Sequence, residues 1–428
     1  MYKKSTLEHG LRVVTEKMPG QRSISMGILI NAGPRDETAG QIGLAHLVEH
    51  VMFCGTSSRN AAQIARLMDE AGGHMGAFTA RDYTCYSATV LDEYFTYALD
   101  LFGDMILNSI FPQESVDREK NAILREIEAS GDRPDERAHD LLKAFAWPDH
   151  PLGRSIAGSP DTITPLTRED VIYFVNEHYL PNRIIVSAAG NINHHDFVAQ
   201  VRDAFWRMMG QGQPTIHSEP NYQSGVTVEH VPVSQVYFAL GLRLCPYTDP
   251  DRYGFYMLNN ILGGGISSRL FRRVREQRGL VYHISSEYHA YRDGGMLVVE
   301  GCTAAENILQ VLHMVIDELW KLISAREPVD EEELWKAKMH IRGQHLISGE
   351  NTNIRMNRLA AQEFYFGKHI PDEEILTEID AIHVQKLQSL ADGILRDALG
   401  KATVAVVGPE AHENYRISSI KRLLDGHP

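Results

Sequence analysis

Two histidines and a glutamate, His46, Glu49 and His50, have the types and spacing that metal-dependent hydrolysis requires. On a helix, His46 and His50 lie four residues apart on one face, and Glu49 lies three residues after His46 on the same side. Two imidazoles can bind a divalent cation, and a neighbouring carboxylate can act as a general base. The pentapeptide therefore predicts two metal ligands and a proton acceptor.

The helix that carries this pentapeptide is predicted to be buried. Between Ile42 and Phe53 the remaining residues are almost all apolar, and a helix that is apolar all round lies inside a protein. Ionisable groups on such a helix need partners, because an unpaired buried charge is costly. A divalent cation is the simplest partner for two neutral imidazoles.

A third ligand is needed, because catalytic zinc usually has three protein ligands and one open position. The predicted helix from Pro112 to Ser130 offers Glu119 and Glu126, which lie seven residues apart at the edge of its apolar stripe. The other charged side chains of this helix fall on the opposite side, so both carboxylates are displaced toward the core. Periodicity alone does not decide which of the two binds the metal.

Several stretches of the chain together resemble one family. They are the residues around the pentapeptide (43–56), Asn31-Ala32-Gly33, the helix segment 122–127, the segment 150–154, and a glycine-rich stretch from 263 that continues to Tyr282. With these the chain resembles the pitrilysin–insulysin–mitochondrial processing peptidase family, whose signature is the inverted zinc motif His-x-x-Glu-His. The resemblance implies that Glu126 is the third zinc ligand. It also implies that Glu119 contacts a zinc ligand without binding the zinc itself.

The resemblance also implies an activity, that of a zinc endopeptidase acting on extended or unfolded peptides. Glu49 is then expected to take a proton from the attacking water and deliver it to the leaving amine. The same fold also serves as a non-catalytic core subunit and as a substrate-guiding partner of a processing peptidase, and those relatives usually have a degraded zinc motif. The intact motif favours an enzyme, and a non-catalytic peptide-binding protein is the alternative.

Arg275 and Tyr282 lie seven residues apart in the second half, after a glycine-rich turn. That turn matches neither phosphate-binding glycine motif, so a flexible turn leading into a helix is preferred. From the residues alone, a surface salt bridge and a packed tyrosine remain open for the pair. The resemblance implies that the pair holds substrate carbonyls and stabilises the oxyanion, and that two copies form a homodimer in which each copy serves the zinc of the other.

One stretch departs from the family pattern. The substrate-binding edge strand commonly reads Asn-Ala-x-Thr with a glutamate three residues on, whereas this chain has Gly76-Ala77-Phe78-Thr79 followed by Asp82. Pairing with an extended peptide uses main-chain groups and does not need the asparagine. The missing amide therefore affects the efficiency and specificity of cleavage more than the reaction.

The order of predicted elements repeats once along the chain. Strands and helices of residues 1–212 recur in the same order in residues 224–428. The interval 210–224 carries Gly, Pro, Ser and Asn without periodicity, and residues 213–223 within it are predicted to be the linker. We therefore predict an α+β fold of two similar domains, each a mainly antiparallel sheet covered by helices as the resemblance implies. The second half has no His-Glu-His stretch, so only the first can hold the metal.

Composition narrows the partners and the location. The chain has 42 Lys and Arg against 56 Asp and Glu and no basic tract interleaved with aromatics, so a nucleic-acid partner is not expected. No apolar run is long enough to span a bilayer and no signal peptide is evident, so we expect a soluble cytoplasmic protein. The scattered cysteines are predicted to be reduced core thiols, and a regulatory role for Cys54, one turn beyond His50, is the less favoured interpretation.

Overall fold

The computed structural model describes residues 1–213, 218–324, 326–409 and 415–426. The strands are β1 (Tyr2–Thr6), β2 (Arg12–Lys17), β3 (Ser23–Ile30), β4 (His74–Thr79), β5 (Thr84–Leu91), β6 (Ile184–Gly190), β7 (Gly225–His230), β8 (Val236–Leu244), β9 (Val281–Ala290), β10 (Gly295–Thr303) and β11 (Thr403–Gly408).

The helices are α1 (Leu44–Val51), α2 (Ala61–Glu70), α3 (Phe95–Asn108), α4 (Gln113–Gly131), α5 (Pro134–Ala146), α6 (Pro160–Ile163), α7 (Arg168–His178), α8 (His194–Phe205), α9 (Arg252–Gly263), α10 (Ile308–Ile323), α11 (Glu331–Ser348), α12 (Thr352–Phe366), α13 (Asp372–Ala381), α14 (Val384–Leu390), α15 (Arg396–Gly400) and α16 (Ile417–Asp425). None of the described helices is both long and apolar enough to cross a membrane.

The two sheets share one topology. The first has the order β1-β2-β6-β3-β5-β4 and the second the order β7-β11-β8-β10-β9. Without β1, the two orders correspond strand for strand, with one parallel pair (β2 with β6, β7 with β11) and antiparallel pairing elsewhere. The predicted α+β fold of two similar domains, each with a mainly antiparallel sheet, is confirmed.

The chain forms two compact units that exchange one segment each. The first consists of Met1–Ile127, Ser155–His217 and Leu346–Ile370, and the second of Glu128–Arg154, Ser218–His345 and Pro371–Pro428. Helix α12 thus belongs to the first unit and α5 to the second. The division into residues 1–212 and 224–428 stays a prediction, and residues 214–217 of the predicted linker lie outside the described residues.

The exchanged helices each cover a sheet face. The strands β3 and β6 are buried along almost their whole length, so both of their faces need apolar partners. In the first unit, Met356, Leu359 and Ala360 of α12 pack on one face of the sheet. In the second unit, Leu142 of α5 packs in the same way against Ala239 of β8. Burial of apolar surface holds each exchanged helix in place.

Candidate metal centre

Helix α1, Leu44–Val51, carries the pentapeptide and begins at a glycine that no other residue can replace easily. Gly43 has φ 95°, and a Cβ atom there would lie 2.5 Å from Cδ1 of Ile163. The carboxylate of Glu37 caps the helix, because its oxygens accept hydrogen bonds from the N–H groups of Gly43 (3.1 Å) and Ala45 (2.7 Å). The start of α1 is thereby fixed in position and direction.

The apolar side of α1 is buried, and its two histidines face a partly open site. Leu44, Leu47, Val48 and Val51 are all fully buried, with no exposed surface. The side chains of His46 and His50 keep 12% and 25% of their surface exposed. Their rings form an edge-to-face pair with centroids 4.7 Å apart. The buried helix predicted from the sequence is thus present, with both imidazoles at its accessible margin.

His46, His50 and Glu126 come together in the first unit. Oε2 of Glu126 lies 3.9 Å from Nε2 of His46 and 3.9 Å from Nε2 of His50, and one donor atom from each residue lies within 4.8 Å of the others. Zinc ligands at about 2.1 Å from the ion stand about 3.4 Å apart in a tetrahedron. Small side-chain movements are therefore enough for the three donors to hold such an ion.

Glu119 contacts the other ring nitrogen of His50. Its Oε2 lies 3.4 Å from Nδ1 of His50, while Oε1 accepts hydrogen bonds from Nε of Arg118 (3.2 Å) and from Sγ of Cys54 (3.7 Å). A carboxylate at Nδ1 favours the tautomer that leaves the lone pair of Nε2 free for a metal. Burial and the charge of Glu119 raise the pKa of the Cys54 thiol to about 11, so it is protonated at neutral pH.

The protonation states also suit a metal. Burial and the neighbouring His50 lower the pKa of His46 to about 4, so its imidazole is neutral at physiological pH, as a ligand must be. Burial raises the pKa of Glu49, against the hydrogen bond from Thr79 and the charge of His50, which lower it. Thr79 Oγ1 donates that hydrogen bond to Oε2 of Glu49 at 2.6 Å. The site thus combines a neutral imidazole at His46 with a partly buried, oriented carboxylate at Glu49.

Comparison with known proteins agrees with this geometry. Residues 12–160 match the domain family described as Insulinase (Peptidase family M16), and residues 165–341 match the Peptidase M16 inactive domain. The chain belongs to peptidase family M16. The family resemblance drawn from the sequence is confirmed, and the second match falls on the half that lacks a His-Glu-His stretch.

Two relatives that are named zinc proteases match nearly the whole chain. The uncharacterized zinc protease YmxG of Bacillus subtilis is 34% identical over 408 residues, which are 95% of this chain and 99% of the relative. An uncharacterized zinc protease of Mycobacterium tuberculosis is 35% identical over 412 residues, covering 95% of this chain and 93% of that protein.

Two solved structures have the same fold as this chain. One is described as a peptidase M16 inactive domain from Pseudomonas fluorescens and the other as a protease from Helicobacter pylori. Each superposes with a TM-score of 0.89 at 21% identity, covering 96% of this chain and 98% or 100% of the other.

The predicted substrate strand of this M16 chain is the outer edge of the first sheet. Among the described strands, β4 pairs only with β5, so no described strand occupies its other edge. Gly76, Ala77 and Thr79 are partly exposed, and Phe78 keeps 39% of its surface exposed. A Cβ atom at Gly76 would meet nothing within 4 Å, so the position has room for the asparagine of the family pattern.

Asp82, which takes the place of the family glutamate, supports the fold. Its Oδ1 accepts a hydrogen bond from Nη1 of Arg35 at 2.9 Å, and both side chains are almost fully buried. Its Oδ2 accepts a hydrogen bond from the hydroxyl of Tyr365 on α12, also at 2.9 Å. A buried ion pair with its remaining acceptor satisfied is costly to break. Asp82 therefore fastens the turn after β4 to the covering helix.

Arg275 and Tyr282 belong to the second unit and lie side by side on its surface. Arg275 sits on a short π-helical turn, Phe271–Glu276, where the sequence predicts an ordinary helix. Its guanidinium carbon lies 4.6 Å from the centroid of the Phe271 ring and 5.9 Å from that of Tyr282. Tyr282 keeps 78% of its surface exposed. π-Helical turns occur frequently at functional sites, and this one presents a cation and a phenol together.

Proposed function

We propose that this chain is a zinc-dependent endopeptidase, in which His46, His50 and Glu126 bind the metal and Glu49 is the general base. The observation that carries the proposal is the convergence of ligand atoms from His46 and His50 on α1 and from Glu126 on α4 within 4.8 Å of one another. The helix α1 that bears the two histidines also bears Glu49. The neutral state of His46 and the contact of Glu119 with His50 support it. The relatives named zinc proteases support zinc as the metal.

The residues of this chain divide the work of hydrolysis among them. When bound, zinc supplies a Lewis acid that polarises an oxygen atom at this position. Glu49 takes a proton from the attacking water and passes it to the nitrogen of the leaving amine. Thr79 holds the carboxylate of Glu49 in one orientation through its 2.6 Å hydrogen bond. Burial of Glu49 favours proton uptake during the reaction, because it disfavours the charged form.

The substrate class follows from the edge strand. An extended peptide can add to the open side of β4 and pair with the main chain of residues 76–79. Only a segment without its own secondary structure has free main-chain groups for this pairing, so extended or unfolded peptides are the proposed substrates. Phe78 is exposed on the strand and offers an apolar contact.

The proposed assembly is a homodimer that encloses a chamber. In it, Arg275 and Tyr282 of one copy stabilise the tetrahedral oxyanion at the zinc site of the other. The exposure of both side chains supports this role, because neither is occupied by a contact that buries it in its own unit. The family resemblance of the segment from 263 to 282 supports it as well.

The test combines metal analysis with digestion of an unstructured peptide mixture, read by mass spectrometry. Glu49→Gln should keep the zinc held by His46, His50 and Glu126 and lose hydrolysis by about 10²–10⁴-fold, the usual contribution of a general base. His46→Ala should lose the zinc of this site together with hydrolysis. Glu128→Gln, an exposed carboxylate on the same helix as Glu126, is the matched control and should change neither. Wild-type hydrolysis by zinc-loaded Glu49→Gln protein would falsify the role of Glu49.

The same experiment separates the enzyme from the non-catalytic alternative. A wild-type protein that binds zinc and retains peptides on a column without cleaving them would be a peptide-binding protein of this fold. Hydrolysis that chelators abolish and added zinc restores supports the peptidase.

A further inference from the structure

A second group of metal-ligand side chains lies in the second unit, around Glu300 of β10. Oε2 of Glu300 lies 3.4 Å from Nδ1 of His139 on α5. Oε1 accepts a 3.5 Å hydrogen bond from the hydroxyl of Ser285, which contacts Nε2 of His283 at 3.1 Å. The ring of His289 stands edge-to-face against that of His139, with centroids 4.9 Å apart. One carboxylate is therefore surrounded by three imidazoles.

Two features of the fold bring these side chains together: alternate residues of β9 project from the same face of the sheet, and α5 crosses that face. His283, Ser285, Glu287 and His289 occupy successive alternate positions of β9 and so project from one face of the sheet. Oε2 of Glu287 lies 3.7 Å from Nε2 of His289. Glu300 is paired with Ser285 in the register and projects from the same face. The apolar residues of α5 pack toward β8 and β11. The β9 side of the face is thereby left to polar side chains, which are expensive to bury without ligands or partners.

The new group shares its geometry with the proposed zinc site. The His139–His289 pair has an interplanar angle of 85° and a centroid distance of 4.9 Å, against 83° and 4.7 Å for His46–His50. Each pair has a glutamate beside it. The side-chain exposures of His139 and Glu300, 18% and 37%, leave the group reachable from solvent.

A cavity adjoins the group. It has a volume of about 290 Å³ and is lined by Asp135, His283, Glu300 and Cys302 together with apolar and aromatic residues. This is room for an ion and several waters, since one water occupies about 30 Å³ in the liquid. All four of these side chains carry atoms that can bind a metal.

We propose that Glu300, with the imidazoles of His139 and His289, forms a second site for a divalent transition-metal ion. Imidazole with one carboxylate suits zinc, copper or nickel, whereas calcium and magnesium prefer all-oxygen ligands. Oε2 of Glu300 lies 3.4 Å from Nδ1 of His139, so this carboxylate oxygen is placed to share an ion with that imidazole.

The second site is expected to be weaker than the first. Among the described residues, His46, His50 and Glu126 form the converged set of ligand atoms. In the Glu300 group a rotation of His139 or His289 has to bring the third donor inward, and that ordering reduces affinity. The inference does not rest on the peptidase activity, because it concerns other residues in the other unit.

Zinc stoichiometry of the full-length chain tests the inference. Equilibrium dialysis against increasing zinc, followed by metal analysis, should give two ions per chain for the wild type. His46→Ala/His50→Ala and His139→Ala/His289→Ala should each bind one, and the fourfold variant none. Replacement of two exposed histidines elsewhere, His195→Ala/His230→Ala, is the matched control and should leave two.

Glu300→Gln removes the charge of the side chain but keeps its size. It therefore tests the second site without the risk of misfolding that the alanine variants carry. It should weaken the second ion at least tenfold and leave the first unchanged. In the His46→Ala/His50→Ala protein, zinc should raise the melting temperature by fastening α5 to β9 and β10, and Glu300→Gln should remove that rise. A wild type that saturates at one ion, or a second ion that survives His139→Ala/His289→Ala, overturns the proposal.

Discussion

The hydroxyl of Thr79 donates a 2.6 Å hydrogen bond to the carboxylate of Glu49. Thr79 is the last residue of the edge strand β4, and Glu49 lies between the two histidines of α1. One contact therefore links the strand proposed to bind the peptide with the carboxylate proposed to move the proton. Small displacements of a base from its productive position lower catalytic rates strongly.

Replacing Thr79 by valine removes this hydrogen bond with little change in volume. A hydrogen bond to a charged group contributes about 1.5–3 kcal/mol, so kcat should fall by about 10–100-fold while zinc content stays at the wild-type value. Thr79→Ser keeps the hydroxyl and should restore most of kcat. Steady-state assays with a quenched fluorescent peptide measure both variants. An unchanged kcat in Thr79→Val would show that Glu49 needs no orientation by the strand.

Gly76→Asn should improve substrate binding. A Cβ atom at Gly76 meets nothing within 4 Å, and an amide there can form the contact to substrate that this chain lacks. We expect KM to fall several-fold, about 1 kcal/mol for one added hydrogen bond, with the melting temperature unchanged or higher.

Gly73→Ala is the control for the neighbouring strand end. A Cβ atom there would lie 2.5 Å from Cγ1 of Val90 and 2.8 Å from the carbonyl oxygen of Thr89, so this variant should lose stability without any gain in affinity. A Gly76→Asn protein with wild-type stability and wild-type KM would mean that residue 76 does not face the peptide.

The helix with His46 and His50 could be predicted because the residues that define it lie within one short segment of the sequence. A four-residue spacing on an apolar helix defines a face, and the structure has that helix as α1. The choice between Glu119 and Glu126 was not local, because both occupy one edge of α4. Only the position of α4 against α1 brings Glu126 to Nε2 and Glu119 to Nδ1 of His50.

The turn between β4 and β5 and the position of α12 depend on tertiary contacts, which a sequence pattern does not predict. Residues 77–90 alternate like one strand, yet the structure has a turn at Ala80 to Tyr83 between β4 and β5. This turn contains no glycine or proline, and the buried pair of Asp82 with Arg35 stabilises it instead. The packing of α12 on the first sheet could likewise not be predicted from the sequence. The apolar stripe of a helix shows which of its faces is buried, but not which sheet or helix that face packs against.

Asp104 of α3 should make stability depend on acid pH. Burial raises the pKa of Asp104, but hydrogen bonds from Thr56, Asn108, Ser58 and Arg59 outweigh it, so the pKa lies below the usual value. A carboxyl group whose pKa is lowered by folding stabilises the protein above its unfolded pKa of about 3.9, and this contribution is lost as the pH falls through the folded pKa.

Asp104→Asn measures how much the charged carboxylate of Asp104 contributes to the free energy of unfolding. At pH 7 it should lower the free energy of unfolding by about 1–3 kcal/mol, because the donors of the loop after α1 lose a charged acceptor. Urea unfolding should be measured at pH 7 and near pH 3. The difference in the free energy of unfolding between wild type and variant should be smaller at the acid pH. Asp100→Asn removes only the ion pair of the exposed Asp100 with Arg59, so this control variant should lower the free energy of unfolding by less than about 1 kcal/mol. A gap that is equal at both pH values would exclude Asp104 as the source.

Mixing two inactive variants tests whether the subunits share their sites. Glu49→Gln lacks the base but keeps Arg275 and Tyr282, whereas Arg275→Ala/Tyr282→Phe keeps the base and the metal ligands. If the pair acts across a dimer, each mixed dimer has one complete site, and random exchange of equal amounts should restore about a quarter of wild-type activity. If the pair acts within its own chain, no dimer has a complete site and activity stays at background. Light scattering of each protein gives the oligomeric state, and an active monomer would exclude the shared site.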